Sequence, residues 1–297
     1  MTEQNTPPVC DYEGSDYQTS FWDQADRAYE DQVEAVALSR LLPDAGHRLL
    51  ELGAGAGRNT PRYQGFQKVV LLDYSLTQLQ QAQARLGQAL GYTFVAANIY
   101  RLPFKKGVFD AATMIRTLHH MADAPLALQQ VRQVLQPGAV FILEFANKQN
   151  LKAILRYALR QQSWSPFSQE PVEFAELNFD FHPAAVRAWL QQAGFEVQQQ
   201  RTVSHFRIGL IKKMLPTELL VRLDAAIQPT GAWWQLTPSV FVAAQAVGDT
   251  PVNTGEEIFC CPTCGSSALE ASTTVLHCTN CAHDWPIVDG IYDFRGA

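Results

Sequence analysis

The chain has 297 residues, of which 47% are hydrophobic and 18% are charged, and its formal net charge is −6. These proportions are typical of a folded globular protein and exclude extended disorder. The N-terminal sequence MTEQNTPPVCDYEG lacks a basic stretch followed by an apolar run, and no apolar run approaches the roughly 20 residues that cross a bilayer. We therefore expect a cytoplasmic protein without a transmembrane segment.

The charges are distributed unevenly along the chain. Residues 1–47 contain ten acidic and two basic side chains, and residues 251–297 contain six acidic and one basic, whereas residues 48–250 contain 13 acidic and 20 basic. One interpretation is that two acidic flanks dock on a basic centre. The other is that the centre binds an anionic ligand, nucleic acid included.

Helical and extended patterns alternate along most of the chain. Apolar residues at helical spacing predict a helix from about Asp23 to Leu42, within an acidic N-terminal cap of residues 1–44. Short apolar runs separated by amphipathic segments follow in residues 45–247, a pattern typical of a parallel sheet covered by helices. The seven runs are His47–Leu52, Lys68–Asp73, Tyr92–Ala96, Phe109–Ile115, Ala139–Phe145, Phe195–Val203 and Ser239–Val247. An insertion (148–182) interrupts the pattern, and a polar, turn-rich linker (248–257) precedes a final segment (258–297).

A glycine-rich turn follows the first apolar run, with the sequence Glu51-Leu52-Gly53-Ala54-Gly55-Ala56-Gly57. Such a turn lets a ligand approach the backbone, although packing alone also explains glycine turns. The next run ends in Asp73, a carboxylate placed to bind ribose hydroxyls; it can also cap the next helix, a role for which Ser75 is available. The spacing fits neither a dinucleotide fingerprint nor a phosphate loop, which predicts a nucleoside ligand without a pyrophosphate.

Taken together, these motifs resemble the class I S-adenosylmethionine-dependent methyltransferases over roughly residues 45–247, and most of all the subgroup that contains quinone-type and other small-molecule methyltransferases. Further matching segments are Asn98-Ile99-Tyr100-Arg101-Leu102-Pro103-Phe104, Phe109-Asp110-Ala111-Ala112-Thr113-Met114-Ile115-Arg116-Thr117-Leu118-His119-His120 and Val134-Leu135-Gln136-Pro137-Gly138-Ala139. The resemblance implies an α/β fold with a seven-stranded, mostly parallel Rossmann-like sheet and helices on both faces. It also implies S-adenosylmethionine as the cofactor.

The same resemblance assigns cofactor contacts. The three glycines pass under the methionine part, Asp73 binds the ribose, and Tyr74 flanks the adenine. The side chain at position 98 and the main chain at position 99 meet the adenine edge; the family usually has aspartate at position 98, so binding through Asn98 is expected to be weaker. The implied cofactor-binding residues are Glu51, Gly53, Ala54, Gly55, Gly57, Asp73, Tyr74, Asn98, Ile99 and Arg116.

Candidates for a general base lie after the fourth and fifth predicted strands. His119 or His120 can deprotonate a phenol or an enol, or the pair can simply pack and hydrogen-bond. Glu144 is a second candidate at the same edge. The loop lacks the Asn/Asp-Pro-Pro-aromatic motif of enzymes that methylate adenine and cytosine amino groups. We therefore expect methyl transfer to a small aromatic or conjugated acceptor, with alignment supplying much of the catalysis.

Residues that could select the acceptor lie in the insertion and near the N-terminus. Four basic residues recur every four positions, either as a solvated helix face or as a contact for an anionic substrate, a headgroup or nucleic acid: Lys148, Lys152, Arg156 and Arg160. Four aromatic residues form either a lid or ordinary packing: Tyr12, Tyr17, Phe21 and Trp22. The basic, amphipathic stretch Arg207–Leu223 is interrupted by Pro216, which makes membrane-surface binding the less favoured interpretation there.

Five of the six cysteines lie between positions 260 and 281, and four of them form two C-x-x-C pairs: Cys261, Cys264, Cys278 and Cys281. This spacing suits tetrahedral zinc, with a redox or disulfide role as the alternative. About forty residues hardly bury a core, so zinc would supply the folding free energy. The segment resembles zinc ribbons attached to some methyltransferases and the activator subunits of tRNA, rRNA and release-factor methyltransferases. The resemblance implies a structural zinc ribbon that docks in cis or on a protein partner; its acidity argues against nucleic-acid contact.

Three functions remain compatible with these patterns. The first is a methyltransferase with a small-molecule acceptor. The second is an RNA or protein methyltransferase that uses the basic residues of 48–250 as its contact surface. The third is a non-catalytic cofactor-binding scaffold, suggested by Asn98 and by the lack of an obvious base.

Overall fold

The computed structural model describes residues 6–15, 27–87 and 91–296. Its helices are α1 (Ala28–Leu41), α2 (Leu76–Leu86), α3 (Ala124–Val134), α4 (Leu151–Ala158), α5 (Pro183–Gln192), α6 (Gly209–Met214) and α7 (Thr217–Ile227). Its strands are β1 (Gly46–Leu52), β2 (Phe66–Asp73), β3 (Tyr92–Ala96), β4 (Phe109–Met114), β5 (Leu135–Ala146), β6 (Val172–Ala175), β7 (Asn178–Asp180), β8 (Phe195–Val203), β9 (Ser239–Ala246), β10 (Leu269–Ala271), β11 (Val275–Cys278), β12 (Asp284–Val288) and β13 (Ile291–Asp293).

The main sheet has eleven strands in the order β10-β11-β12-β13-β3-β2-β1-β4-β5-β9-β8. The run from β3 to β5 is parallel, and β9 lies antiparallel between β5 and β8. The prediction of a large, mostly parallel Rossmann-like sheet is therefore confirmed. The predicted total of seven strands is wrong, because β13 pairs in parallel with β3 and adds the C-terminal strands to the same sheet.

The central strands are apolar on both faces because helices cover both faces. Leu50 of β1 belongs to a core cluster with Leu128 of α3 and Val186 of α5, whereas its neighbour Leu49 belongs to a second cluster with Val33 of α1. Successive strand residues point to opposite faces, so this division follows directly from the pleat. Among the helices described, none has the length and apolarity that a bilayer crossing requires.

Local signals set the ends of several helices. The Ser75 hydroxyl accepts a hydrogen bond from the N–H of Gln78 at the start of α2, and Asp123 does the same for the N–H of Leu126 at the start of α3. Pro216 separates α6 from α7, as its missing N–H requires. The insertion forms α4 and the antiparallel hairpin β6–β7.

Residues 258–296, here called the cysteine module, pack against the chain's own domain. The main chain of β13 pairs with β3, and the N–H of Phe294 donates to the carbonyl of Ala96 (2.7 Å). The ring of Phe259 stacks on Phe104 with centroids 5.8 Å apart, and Trp285 is only 1% exposed. The module thus covers the edge of β3, which would otherwise present unpaired backbone groups.

Candidate cofactor pocket and active site

A pocket opens at the carboxyl edge of β1, β2 and β4, where the sequence motifs converge. Loops that follow parallel strands meet at this edge, and ligands of open α/β sheets bind there. Of the residues expected to contact the cofactor, seven line the pocket: Gly53, Ala54, Gly55, Asp73, Tyr74, Ile99 and Arg116. The structure places Glu51, Gly57 and Asn98 outside this lining.

The glycine loop has a conformation that requires glycine. Gly53 has a φ of +67°, and a Cβ atom there would lie 2.2 Å from the hydroxyl oxygen of Thr117, in the loop after β4. Gly55 has a φ of +53°, and its N–H donates a 2.8 Å hydrogen bond to Asp73 Oδ2. The loop therefore runs close to the loop after β4 and is held by the carboxylate that ends β2.

Asp73 is oriented by backbone donors on both oxygens. Its Oδ1 accepts from the N–H of Ser75 (3.0 Å), while Oδ2 accepts from Gly55. Burial raises the pKa of Asp73, and these N–H groups offset part of the rise. Each carboxylate oxygen has a further lone pair, so the group can still accept hydrogen bonds from a ribose at the pocket wall.

Two of the implied cofactor residues make other contacts. Glu51 is buried beneath the loop, where its Oε2 accepts from the hydroxyl of Thr60 (2.6 Å); burial raises the pKa of Glu51 to about 7. The side-chain oxygen of Asn98 accepts a hydrogen bond from the N–H of Tyr100 (2.9 Å) and so stabilises the turn formed by residues 98–100. The cofactor roles of both side chains stay predictions.

Glu144 supports the turn after β4 and does not line the pocket. Its Oε2 accepts from the backbone N–H of Arg116 (2.9 Å), and its Oε1 accepts from the hydroxyl of Ser239 (2.6 Å). Arg116 has a φ of +56°, a strained value for a residue with a side chain, and the bond to Glu144 helps to hold it.

An acidic residue of α1 forms ion pairs beside the pocket. Glu34 is 1% exposed; its Oε1 accepts from Nε of Arg116 (2.7 Å) and its Oε2 from Nη2 of Arg58 (3.0 Å). Burial raises the pKa of Glu34, but the two guanidinium groups outweigh it and hold the pKa below its usual value. This role of Glu34 was not predicted from the sequence. A signal was present, because Glu34 follows Val33 and precedes Ala37 on the side of the helix that packs inward.

His120 is the predicted base that faces the pocket. Its Nδ1 lies 3.2 Å from the carbonyl oxygen of Leu177, at the tip of the β6–β7 hairpin, and its Nε2 lies 3.2 Å from the hydroxyl of Tyr12. A carbonyl oxygen only accepts, so Nδ1 carries the proton and Nε2 accepts from Tyr12. Burial lowers the pKa of His120, which favours the neutral ring with Nε2 unprotonated.

His119 lies behind His120, with ring centroids 4.0 Å apart. Its Nδ1 is buried and has no hydrogen-bond partner among the described residues. Burial, together with neighbouring His120 and Arg116, lowers the pKa of His119 well below 6.5. Of the three predicted catalytic residues, the structure therefore brings only His120 into the pocket lining.

The N-terminal segment 6–15 lies across the pocket. Val9 forms a backbone bridge with Met121, and Tyr12 contacts His120. The carboxylate of Glu13 accepts from the N–H groups that start α2 and pairs with Arg295 of the cysteine module (3.1 Å). Tyr12 thus lines the pocket, a position compatible with both a lid and ordinary packing; Tyr17, Phe21 and Trp22 lie outside the described residues.

The four predicted metal ligands form a second site. The sulfur atoms of Cys261, Cys264, Cys278 and Cys281 all lie within 4.8 Å of one another. Cys261 and Cys281 are 3.7 Å apart, and Cys264 and Cys278 are 3.6 Å apart. A tetrahedral site with zinc–sulfur bonds of 2.3 Å has sulfurs about 3.8 Å apart, so the cluster fits the metal.

Comparisons with known proteins agree with this geometry. Residues 50–143 match the family described as "Methyltransferase domain". The O-methyltransferase resE of Aspergillus sclerotiorum is 30% identical over 47% of this chain and 56% of its own length. The chain therefore spans little more than half of the length of that relative. The demethylmenaquinone methyltransferase of Clavibacter sepedonicus is 27% identical over 63% of this chain and 81% of its own.

Solved structures show the same fold. A chain from the complex of the Haloferax volcanii Trm112 methyltransferase activator with a methyltransferase superimposes with a TM-score of 0.53 and 17% identity, over 75% of this chain and 92% of that chain. An S-adenosylmethionine-dependent methyltransferase from Mesorhizobium loti gives a TM-score of 0.51 and 18% identity, over 73% and 100%. Residues 50–143 are thus similar to a methyltransferase domain, and the chain shares the fold of these solved structures.

Proposed function

We propose that the protein transfers a methyl group from S-adenosylmethionine to a small aromatic or conjugated acceptor that bears an acidic hydroxyl group. The observation that carries the proposal is the meeting of three groups in one pocket: the glycine loop, Asp73 and the hydrogen-bond-accepting Nε2 of His120. We further propose that residues 45–247 are the catalytic domain and that 148–182 contribute to acceptor selection.

The cofactor, when bound, supplies a methyl group on a positively charged sulfur. The chain's own part is to hold it: the loop at Gly53–Gly55 lets the backbone approach, and Asp73 accepts from the ribose. Tyr74 and Ile99 line the pocket where the adenine would lie. Since the displacement requires alignment of nucleophile, methyl group and sulfur, positioning accounts for much of the rate.

His120 would take the proton of the acceptor hydroxyl. The phenol of Tyr12 already donates to Nε2, which shows that a planar ring bearing a hydroxyl fits beside the histidine; the two rings meet edge to face at 5.5 Å. In this view Leu177 fixes the tautomer through Nδ1, and the lowered pKa of His120 keeps Nε2 unprotonated. The curated relatives, which are named for O-methylation and for demethylmenaquinone, support a small acceptor.

Calorimetry with S-adenosylmethionine tests the cofactor site. Asp73→Ala should weaken binding at least about tenfold, because hydrogen bonds from the ribose to a charged group are lost. Asp44→Ala, at an exposed position outside the pocket, is the matched control and should bind like the wild type. No binding by the wild type, or unchanged binding by Asp73→Ala, would refute the assignment.

The acceptor is tested with labelled cofactor and fractionated cell extract. Label should appear in small molecules, and His120→Gln should lose activity while it keeps cofactor affinity. Label in RNA would instead support a nucleic-acid acceptor, which the basic residues of the centre leave open. Several of those basic groups, such as Arg58, already pair with acids of α1.

We also propose that the cysteine module binds one structural zinc ion through Cys261, Cys264, Cys278 and Cys281. The close approach of the four sulfurs supports this. The module's packing on β3 supports docking in cis, and the activator complex among the similar folds is consistent with that role.

A further inference from the structure

A second cleft, of about 610 Å³, lies apart from the cofactor pocket and is walled by α4 and by the segments around residues 207 and 235. Three leucines of one wall recur every four residues along and just after α4. Leu151, Leu155 and Leu159 are 52%, 53% and 66% exposed. Trp234 and Ile208, from the other walls, are 57% and 53% exposed. The leucine stripe therefore faces outward around the cleft and is not part of the core.

Basic side chains follow the same spacing beside the stripe. Lys152, Arg156 and Arg160 each come one residue after a leucine of the stripe, and within the described part of the chain they form no ion pair. Residues 148–167 contain no acidic residue, and neither do residues 201–217. The surface along α4 is therefore basic and apolar in a chain with a net charge of −6, whereas Arg207 and Lys212 of the second segment pair with Glu30 of α1.

The combination of exposed leucines and basic side chains along α4 favours one kind of partner. Phosphate-backbone recognition uses basic groups but gains little from exposed leucines. A second copy of an acidic chain would match the basic groups through its acidic flanks, of which Glu30 and Glu34 already pair with the centre. An amphipathic helix with leucines on one side and lysine and arginine beside them is typical of binding at an anionic lipid surface.

We infer that α4, with the walls of this cleft, docks the protein peripherally on a bilayer that contains anionic phospholipid. The leucines and Trp234 would enter the boundary between headgroups and acyl chains, while Lys152, Arg156 and Arg160 contact the phosphates. α4 follows the carboxyl end of β5, so this surface lies at the same edge of the sheet as the cofactor pocket. The inference does not depend on the proposed reaction, because docking needs neither cofactor nor acceptor.

Vesicle flotation of the full chain tests the inference. Vesicles of phosphatidylcholine mixed with phosphatidylglycerol should carry the protein to the top of the gradient, and vesicles of phosphatidylcholine alone should not. Added salt should weaken the binding, because it screens the basic groups. On binding, tryptophan fluorescence should shift to the blue and be quenched by brominated lipid.

Two variants and two matched controls locate the surface. Arg156→Gln should lower the partition coefficient about fivefold. Leu155→Gln should lower it about tenfold through lost apolar burial. Lys106→Gln also removes a positive charge, and Val252→Gln also replaces an aliphatic side chain by an amide. Both positions are exposed and lie near Gly107, which precedes β4 at the opposite edge of the sheet, so these variants should bind like the wild type. All four positions are exposed, so the variants should fold, and unchanged circular dichroism checks this.

Three results would overturn the inference. The first is failure of the wild type to float with the anionic vesicles. The second is equal loss in the two controls. The third is evidence that another partner occupies this surface. That evidence would be a dimer in sedimentation experiments that Leu155→Gln abolishes, or RNA binding that Arg156→Gln abolishes while its flotation with vesicles is unchanged.

Discussion

The two acidic flanks of the chain both dock on the basic centre, but they do so with different bonds. On the N-terminal side, α1 places Glu34 between Arg58 and Arg116 and Glu30 beside Lys212. On the C-terminal side, the cysteine module attaches through backbone pairing of β13 with β3 and through packed aromatic rings. The acidic side chains of this second flank that pair with the centre, Glu256 and Glu257, are 75% and 86% exposed.

The difference concerns what each contact depends on. A buried ion pair depends on the identity and the charge of both partners, whereas strand pairing uses groups that every residue except proline carries. The first contact is sensitive to pH and to single substitutions beside the active site. The C-terminal contact depends on the folding of the cysteine module, and therefore on the proposed zinc ion.

Removal of the proposed zinc ion should give the largest effect. Cys278→Ser should abolish zinc binding, because it removes one of the four clustered cysteine sulfurs that would bind the ion. Structural zinc contributes about 10 kcal/mol in small metal domains, more than the module can otherwise supply. Elemental analysis should give about one zinc ion per wild-type chain and none in the variant, which should aggregate through the uncovered edge of β3. Cys260→Ser, outside the cluster, is the control; a zinc-free chain that stays folded and monomeric contradicts the assignment.

Loss of the buried carboxylate of α1 should come second. Glu34→Gln removes the buried carboxylate that pairs with both Arg116 and Arg58, and Arg58 keeps its pair with Asp31. The change should lower the free energy of unfolding by about 3 kcal/mol, measured by urea titration. Glu196→Gln changes an exposed, unpaired acid of β8 and should stay within about 0.5 kcal/mol of the wild type.

The Glu34 effect should also depend on pH. The folded-state pKa of Glu34 lies below its usual value. The ionised carboxylate therefore contributes fully to the free energy of unfolding above the unfolded-state pKa of about 4.3, and this contribution is lost as the pH falls through the folded-state pKa. The wild type and Glu34→Gln should therefore differ most near neutral pH and converge in strong acid. A difference that grows on acidification would contradict the ion-pair account.

The contact between the two flanks should matter least. Arg295→Ala removes the ion pair with Glu13, whose side chains are 24% and 42% exposed. Stability should change by less than about 1 kcal/mol. Since Glu13 anchors the segment that carries Tyr12, cofactor affinity by calorimetry should fall a few-fold, and Arg295→Lys should restore part of it. An effect on stability as large as that of Glu34→Gln would show that the flanks are not independent.

Features encoded in short stretches of sequence were predictable. The glycine loop and Asp73 were each identified from local patterns, and the hydrogen bond from Gly55 to Asp73 brings them together. The pairing of Glu34 with Arg116 and of β13 with β3 escaped prediction because the partners are distant in sequence. The position of Glu34 on the inward side of α1 indicates its burial but does not identify its partner. The two adjacent histidines show the same limit: the hairpin carbonyl of Leu177 meets His120, not His119.

The pairing of β13 with β3 also has a kinetic consequence. It joins residues 94–96 to residues 291–293, which are almost 200 positions apart in the chain. Contacts between such distant segments cost loop-closure entropy and tend to form late. During refolding, β3 would remain an open strand edge until the cysteines had acquired their metal, so the supply of zinc would set the lifetime of an aggregation-prone intermediate. Refolding yield, unlike the final stability, should then rise with the rate of metal delivery.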